Sequence, residues 1–164
     1  MSVEWPYEIN YGAEHEISAD VLVLGAGLAG CYAAIGAARK GLKVALVDKG
    51  STIRSGAAGS GIDHWGSCSS NPASKVTPEE FVETAIKVGN GGYGNAIASY
   101  ITNKDSYEVL LELEEMGMKV RDTDDEFKGA PFRDEKTKHL YAFDYENKYC
   151  VRIWGTKLKK SLYK

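Results

Sequence analysis

The sequence predicts an α/β fold organised around one parallel βαβ unit, and three observations carry that prediction. Val21, Leu22, Val23 and Leu24 make a short apolar run of the kind buried in a parallel sheet. The run empties into Gly25-Ala26-Gly27-Leu28-Ala29-Gly30, a glycine spacing that opens a helix directly after a strand. Beyond an alanine-rich helical stretch, from about Leu28 to Lys40 and stopped by Gly41, a second apolar run, Val44 to Val47, ends on Asp48.

Each part of the unit has a chemical task in binding a dinucleotide. Gly25 permits the reversal out of the strand, Gly27 lets the backbone approach a pyrophosphate, and Gly30 lets the helix pack close to the strand. The unpaired N–H groups of the first helical turn, Leu28 and Ala29 among them, point with the positive end of the helix dipole at the phosphates. That contact is worth roughly 0.3–1 kcal/mol. Asp48, eighteen residues after Gly30 and followed by Lys49, is placed to accept hydrogen bonds from a ribose diol. The competing reading is an ordinary glycine-rich βα turn, but strand, turn, helix, second strand and acid all stand in register.

Composition bounds the rest. A chain of 164 residues with a net charge of −3 is compatible with one globular domain and offers no basic footprint for nucleic acid. No stretch approaches the length of a membrane span, and residues 1–18, an arm carrying Trp5, Tyr7 and Tyr11, lack a basic start and an apolar core. A cytoplasmic protein is expected. Cys31, Cys68 and Cys150 are far apart and form no CxxC, so no metal site is expected.

After Lys49 the chain enters a Gly/Ser-rich stretch without periodicity, read as a long loop from Gly50 to Pro72. Its first half, Arg54-Ser55-Gly56-Ala57-Ala58-Gly59-Ser60-Gly61, combines small side chains, hydroxyls and backbone donors that can lie along a ring system and a phosphate. Asp63-His64-Trp65 either sits beside a cofactor or anchors the loop. Thr77-Pro78-Glu79-Glu80 is a helix start with a capping box, and that helix runs to about Val88, ended by Gly89-Asn90-Gly91-Gly92. A second helix is expected from about Asn95 to Met116, with a break at Asn103 to Ser106. Short extended pieces follow at Lys119–Arg121 and His139–Tyr145, around an acidic run, Asp122 to Glu126, read as a solvated turn. His139, Tyr141, Tyr145, Tyr149, Arg152 and Trp154 line a cleft or fill an aromatic core. Leu158 and Leu162 mark a basic amphipathic helix at the end.

Two parallel strands do not close a sheet, and a third would need another crossover. The expectation is an incomplete domain with apolar strand surface exposed, the chain being a fragment or one completed by another chain.

From about Ala19 to Lys164 the sequence resembles the N-terminal part of the flavoprotein subunits of fumarate reductase and succinate dehydrogenase, a family that includes L-aspartate oxidase and the α subunit of adenylylsulfate reductase. VLVLGAGLAGCYAAIGAARKGLKVALVDKG followed by RSGAAGSGI carries the resemblance, with PEEFVETAIKVGNG, LEEMGMKV and RIWGTKLKKSLYK as weaker matches. It implies a Rossmann-like FAD-binding domain in residues 19–164, truncated at its C-terminal end. Gly25, Gly27 and Gly30 would cradle the pyrophosphate, Asp48 would hold the adenosine ribose, and Ser55 to Gly61 would run along pyrophosphate and flavin. Membrane-bound members bond a histidine to the flavin where this chain has Gly56, which implies a non-covalent FAD. Gly30-Cys31 and Ser55 to Ala57 hint at the adenylylsulfate reductase branch.

The resemblance further implies two-electron transfer between FAD and a small anionic substrate, with an iron-sulfur electron-transfer subunit as a possible partner. The catalytic residues are expected beyond Lys164 and remain unknown. Two other readings stand beside this one: an NAD-binding dehydrogenase domain, since Asp48 suits either ribose, and a non-catalytic nucleotide-fold subunit completed by a partner chain.

Overall fold

A computed structural model describes residue 12 and residues 16–88 and 94–163. Most of the expected arm, and the Gly89–Gly92 stop, lie outside the described residues; residues 16–19 are exposed and belong to no helix or strand.

The opening unit forms as the pattern requires. Strand β1 (Val21–Leu24) leads into helix α1 (Leu28–Ala38) and strand β2 (Val44–Val47). The two strands pair in parallel, Val21 opposite Val44 and Leu24 opposite Val47. Asp20 starts the pairing by accepting the Lys43 N–H at 2.8 Å. Helix α1 covers one face of the pair, and Leu22 and Leu24 on the other are 61 % and 77 % exposed, as expected for a sheet of two strands.

The stretch read as one long loop contains a strand. His64–Trp65 forms β3, and with β4 (Leu140–Tyr141) and β5 (Val151–Arg152) it builds a second, antiparallel sheet in the order β3-β5-β4. Trp65 stands opposite Val151 and His64 opposite Arg152. A two-residue strand has no periodicity to detect. Its partner lies almost ninety residues away, so the pairing is set by tertiary structure.

Helix α2 (Pro78–Val88) begins with the expected capping box: the Thr77 N–H donates to Glu80 Oε2 at 2.9 Å and the Glu80 N–H to Thr77 Oγ1 at 3.2 Å. Helix α3 (Ala96–Glu115) runs without the expected break. The polar residues that suggested one are buried and satisfied across the interface with the Gly/Ser stretch. Asn103 accepts from Ser69 Oγ at 2.9 Å, and Ser106 Oγ accepts from the Trp65 indole at 2.9 Å.

Two further expectations are corrected. Lys119–Arg121 belongs to no sheet among the described residues, and the 139–145 piece yields only β4 before Phe143 adopts a φ of 64°. The acidic run is solvated in part only: Asp122 is fully buried, pairs with buried Arg133 at 2.8 Å, and caps the N–H groups of Glu126 and Phe127 at 3.0 Å. Burying one carboxylate is tolerable when an arginine and two amides meet it. His139 and Tyr141 of the aromatic cluster are core residues, whereas Tyr145 is half exposed. A short 3-10 turn (Gly155–Lys157) leads into helix α4 (Leu158–Tyr163), whose Leu158 and Leu162 join that core.

Candidate cofactor site

Three segments meet at the C-terminal edge of β1 and β2: the glycine turn, the end of β2, and the loop after it. Gly25 leaves the strand with a φ of 98°, a conformation that favours glycine, and its N–H donates to the Val47 carbonyl at 2.7 Å. Two later glycines of the turn differ in kind. A Cβ on Gly30 would stand 1.8 Å from the Gly25 carbonyl oxygen, so this glycine serves strand–helix packing. A Cβ on Gly27 would meet nothing within 4 Å. Among the described residues nothing demands a glycine there, and the space over it is open.

Asp48 ties the segments together. Its Oδ2 accepts the Ala26 N–H at 2.6 Å and its Oδ1 accepts the Gly50 N–H at 2.8 Å, with Ser55 Oγ at 3.5 Å. These donors hold the carboxyl below the usual carboxylate range, Gly50 first and Ala26 next, with Lys159 adding a favourable charge. Asp48 is therefore an anion at neutral pH, half buried beside the turn. The sequence expected it to accept from a ribose; what the structure shows is that it braces the glycine turn.

A cleft of about 420 Å³ lies over this meeting point, lined by Leu24, Gly25, Val47, Asp48, Lys49, Ser55 and Gly56. Gly56 approaches Gly27, its absent Cβ being 3.8 Å from the Gly27 Cα. Of the remaining candidates, Ala29, Arg54, Ala57 and Ser60 are exposed, Leu28 is partly buried against the core, and Ala58 and Gly59 are buried. Ala58 is a core side chain, and Gly59 is pressed on the Arg54 carbonyl. The loop thus presents alternate parts to the inside and the outside. At its far end Gly61, with a φ of 94°, lies against Thr156, and a second cleft of about 370 Å³ opens between Ser60–Asp63 and Arg152–Thr156.

The sequence reading missed Lys159. It is 3 % exposed, and its ammonium donates to the Ala26 carbonyl, the neighbour of the amide that Asp48 holds. At about 100° per residue Lys159 falls outside the narrow arc that Leu158 and Leu162 mark, so the helical pattern alone does not signal its burial. His64 and Trp65 serve mainly to anchor the loop, since Trp65 binds α3 and His64 stacks on Phe143 with ring centroids 4.5 Å apart.

A parallel strand–helix–strand unit with a positive-φ glycine turn, an open glycine over the helix start and an acid closing the second strand defines a dinucleotide-binding protein. The chain belongs to the FAD binding domain family, whose pattern matches residues 20–157, and its cofactor is FAD. Comparison with curated sequences gives no match. Among solved structures the chain is similar to adenylylsulfate reductase from Archaeoglobus fulgidus, with a TM-score of 0.62, 21 % identity, and coverage of 89 % of this chain and 21 % of that one. It is also similar to the Mycobacterium smegmatis Sdh1 complex, with a TM-score of 0.66, 21 % identity and coverage of 88 % and 23 %. An adenosine-5-phosphosulfate reductase in complex with sulfite gives 0.61, 20 %, 88 % and 22 %. The chain spans about a fifth of the length of these proteins. At such identities the likeness is one of fold, and it meets the flavoprotein family expected from the sequence.

Proposed function

We propose that this chain forms the N-terminal part, residues 19–164, of the FAD domain of a cytoplasmic oxidoreductase that transfers two electrons between FAD and a small anionic substrate. The observation that carries the site is the open Gly27 beside the braced Asp48: a turn held rigid by the protein with its outer face left free. FAD, when bound, supplies the electron-transfer chemistry. The chain's own residues bind and orient it. The Gly25–Gly30 turn and the first N–H groups of α1 receive the pyrophosphate, Asp48 receives the ribose while bracing Ala26, and Ser55, Gly56, Ala57, Ser60 and Gly61 follow the cofactor along the loop. Gly56 offers no side chain to alkylate, so the cofactor is held non-covalently.

The anionic substrate is supported by the sequence resemblance and by the neighbour in complex with sulfite. An iron-sulfur subunit as electron partner rests on the same resemblance. Three free, buried thiols suit a reducing compartment, and among the described residues no helix is long and apolar enough to cross a membrane. The test is a titration of the purified chain with FAD and with NAD, followed by flavin fluorescence and calorimetry. Saturable FAD binding, released on denaturation, is the expected result. Binding of NAD without FAD would replace this reading with a nicotinamide-dependent dehydrogenase domain.

A further inference from the structure

We propose that Lys159 is a positioning residue for the cofactor's pyrophosphate, acting from beneath the glycine turn; the inference rests on the FAD reading above. The argument begins with the peptide between Ala26 and Gly27. The protein's described peptide bonds include no cis linkage, so the Ala26 carbonyl and the Gly27 N–H point in opposite directions. Lys159 draws that carbonyl inward, reinforced by the Cys31 thiol, which donates to the same oxygen at 3.6 Å. The Gly27 N–H is thereby turned away from Lys159, at a residue where an added Cβ would meet nothing within 4 Å. Asp48 clamps the preceding peptide through the Ala26 N–H. One cation and one anion, 111 positions apart in the sequence, fix the two peptide groups that flank a single alanine.

The charge matters as much as the hydrogen bond. A lysine is almost never this deeply buried without a counter-charge, because desolvating an unpaired ammonium costs several kcal/mol. Among the described residues the Lys159 ammonium donates to a neutral carbonyl, and no carboxylate forms an ion pair with it; Asp48 acts on it only through space. Packing alone would be served better by leucine or methionine. A dianionic pyrophosphate over the turn supplies the missing counter-charge, and the short distance through one peptide group carries little solvent screening.

The experiment compares FAD, ADP and adenosine binding to the wild-type chain, Lys159→Met and Lys159→Gln, with melting of each apo-protein alongside. The expected result is a loss of tenfold or more for FAD and ADP in Lys159→Met, no change for adenosine, and an apo melting temperature equal to or above that of the wild type. A structural role would weaken all three ligands together. Should the methionine variant not fold, Lys159→Gln keeps a donor for the Ala26 oxygen without the charge, and a loss of threefold or more for FAD and ADP is expected. Folded variants that bind FAD as the wild type does would overturn the role of Lys159 while leaving the FAD site standing. A wild-type chain that binds no FAD would overturn both.

Discussion

The Asp48 carboxylate accepts the N–H of Ala26 at 2.6 Å, reaching back twenty-two residues from the end of β2 to the turn after β1. The relationship makes the acid a structural member of the turn; with the ribose-accepting role proposed for it above, its loss would strike the site twice. Asp48→Asn is expected to weaken FAD binding roughly tenfold or more, on the scale of one charge-assisted hydrogen bond. The pH dependence follows from its lowered folded-state pKa. A depressed carboxylate stabilises fully above its unfolded value of about 3.9 and loses that contribution as pH falls through the folded value. FAD release and loosening of the turn are therefore expected below about pH 4 in the wild type, with that step absent in Asp48→Asn, as followed by flavin fluorescence.

How much of this was legible in the sequence depends on the range of the interaction. The βαβ unit and the α2 cap are written in residues within a few positions of one another, and Thr77 with Glu80 forms the reciprocal pair that its spacing implies. The pairing of β3 with β5 and the burial of Asp122 and Lys159 depend on residues brought together from far along the chain. Charge was a misleading guide at both buried positions. In a sequence an aspartate within an acidic run looks solvated, and nothing local reveals the arginine that meets it. Asn103 and Ser106 misled for the same reason: their helix-breaking tendency is overridden by partners on the Gly/Ser stretch.

The Asp122–Arg133 pair separates buried from exposed electrostatics. Both side chains are essentially inaccessible, and Arg133 also reaches Asp125 and Glu135. Asp122→Ala removes the one fully buried counter-charge of the guanidinium, at its Nε, leaving it only the more exposed Asp125 and Glu135, and uncaps the amides of Glu126 and Phe127. Its melting temperature is expected to fall by several degrees, while Glu83→Ala, which removes an exposed partner of Lys87, shifts it by less than about one degree. Calorimetry of the two variants side by side decides the matter. Equal shifts would refute the assignment of the burden to the buried pair.

His139 supplies a pH dependence of the opposite kind. Burial, followed by the nearby Arg121 charge, lowers its pKa below the ordinary value, and its ring nitrogens face the Val120 carbonyl and the Tyr107 hydroxyl, each at 3.3 Å. A histidine kept neutral by the fold binds a proton more readily once unfolded, so stability is complete above the unfolded pKa of about 6.5 and declines as pH falls below it. The decline ends once pH passes below the folded value. Urea midpoints at pH 7.5 and 5.5 are expected to differ more for the wild type than for His139→Gln, and an undiminished difference in the variant would assign the acid sensitivity elsewhere.

Gly27 and Gly30 permit the sharpest separation of fold from ligand, because the same substitution at each meets opposite surroundings. At Gly30 an added methyl runs into the Gly25 carbonyl, and because the clashing atoms are backbone no flexible side chain can move aside to relieve it. Gly30→Ala is expected to destabilise the chain by about 1–3 kcal/mol, the range of overpacked interiors, with or without cofactor. At Gly27 the backbone φ of −69° and ψ of −174° is open to any L-residue, and the methyl enters free space. Gly27→Ala should change apo stability by no more than about 0.5 kcal/mol. What it fills is the approach to the N–H groups at the start of α1, so FAD affinity falls, and Gly27→Val extends the loss well beyond tenfold, or more than about 1.4 kcal/mol. Denaturant titration of the apo-proteins measures the first effect and FAD titration the second. A Gly27→Val chain that is stable and still binds FAD as tightly as the wild type would remove the pyrophosphate from this turn.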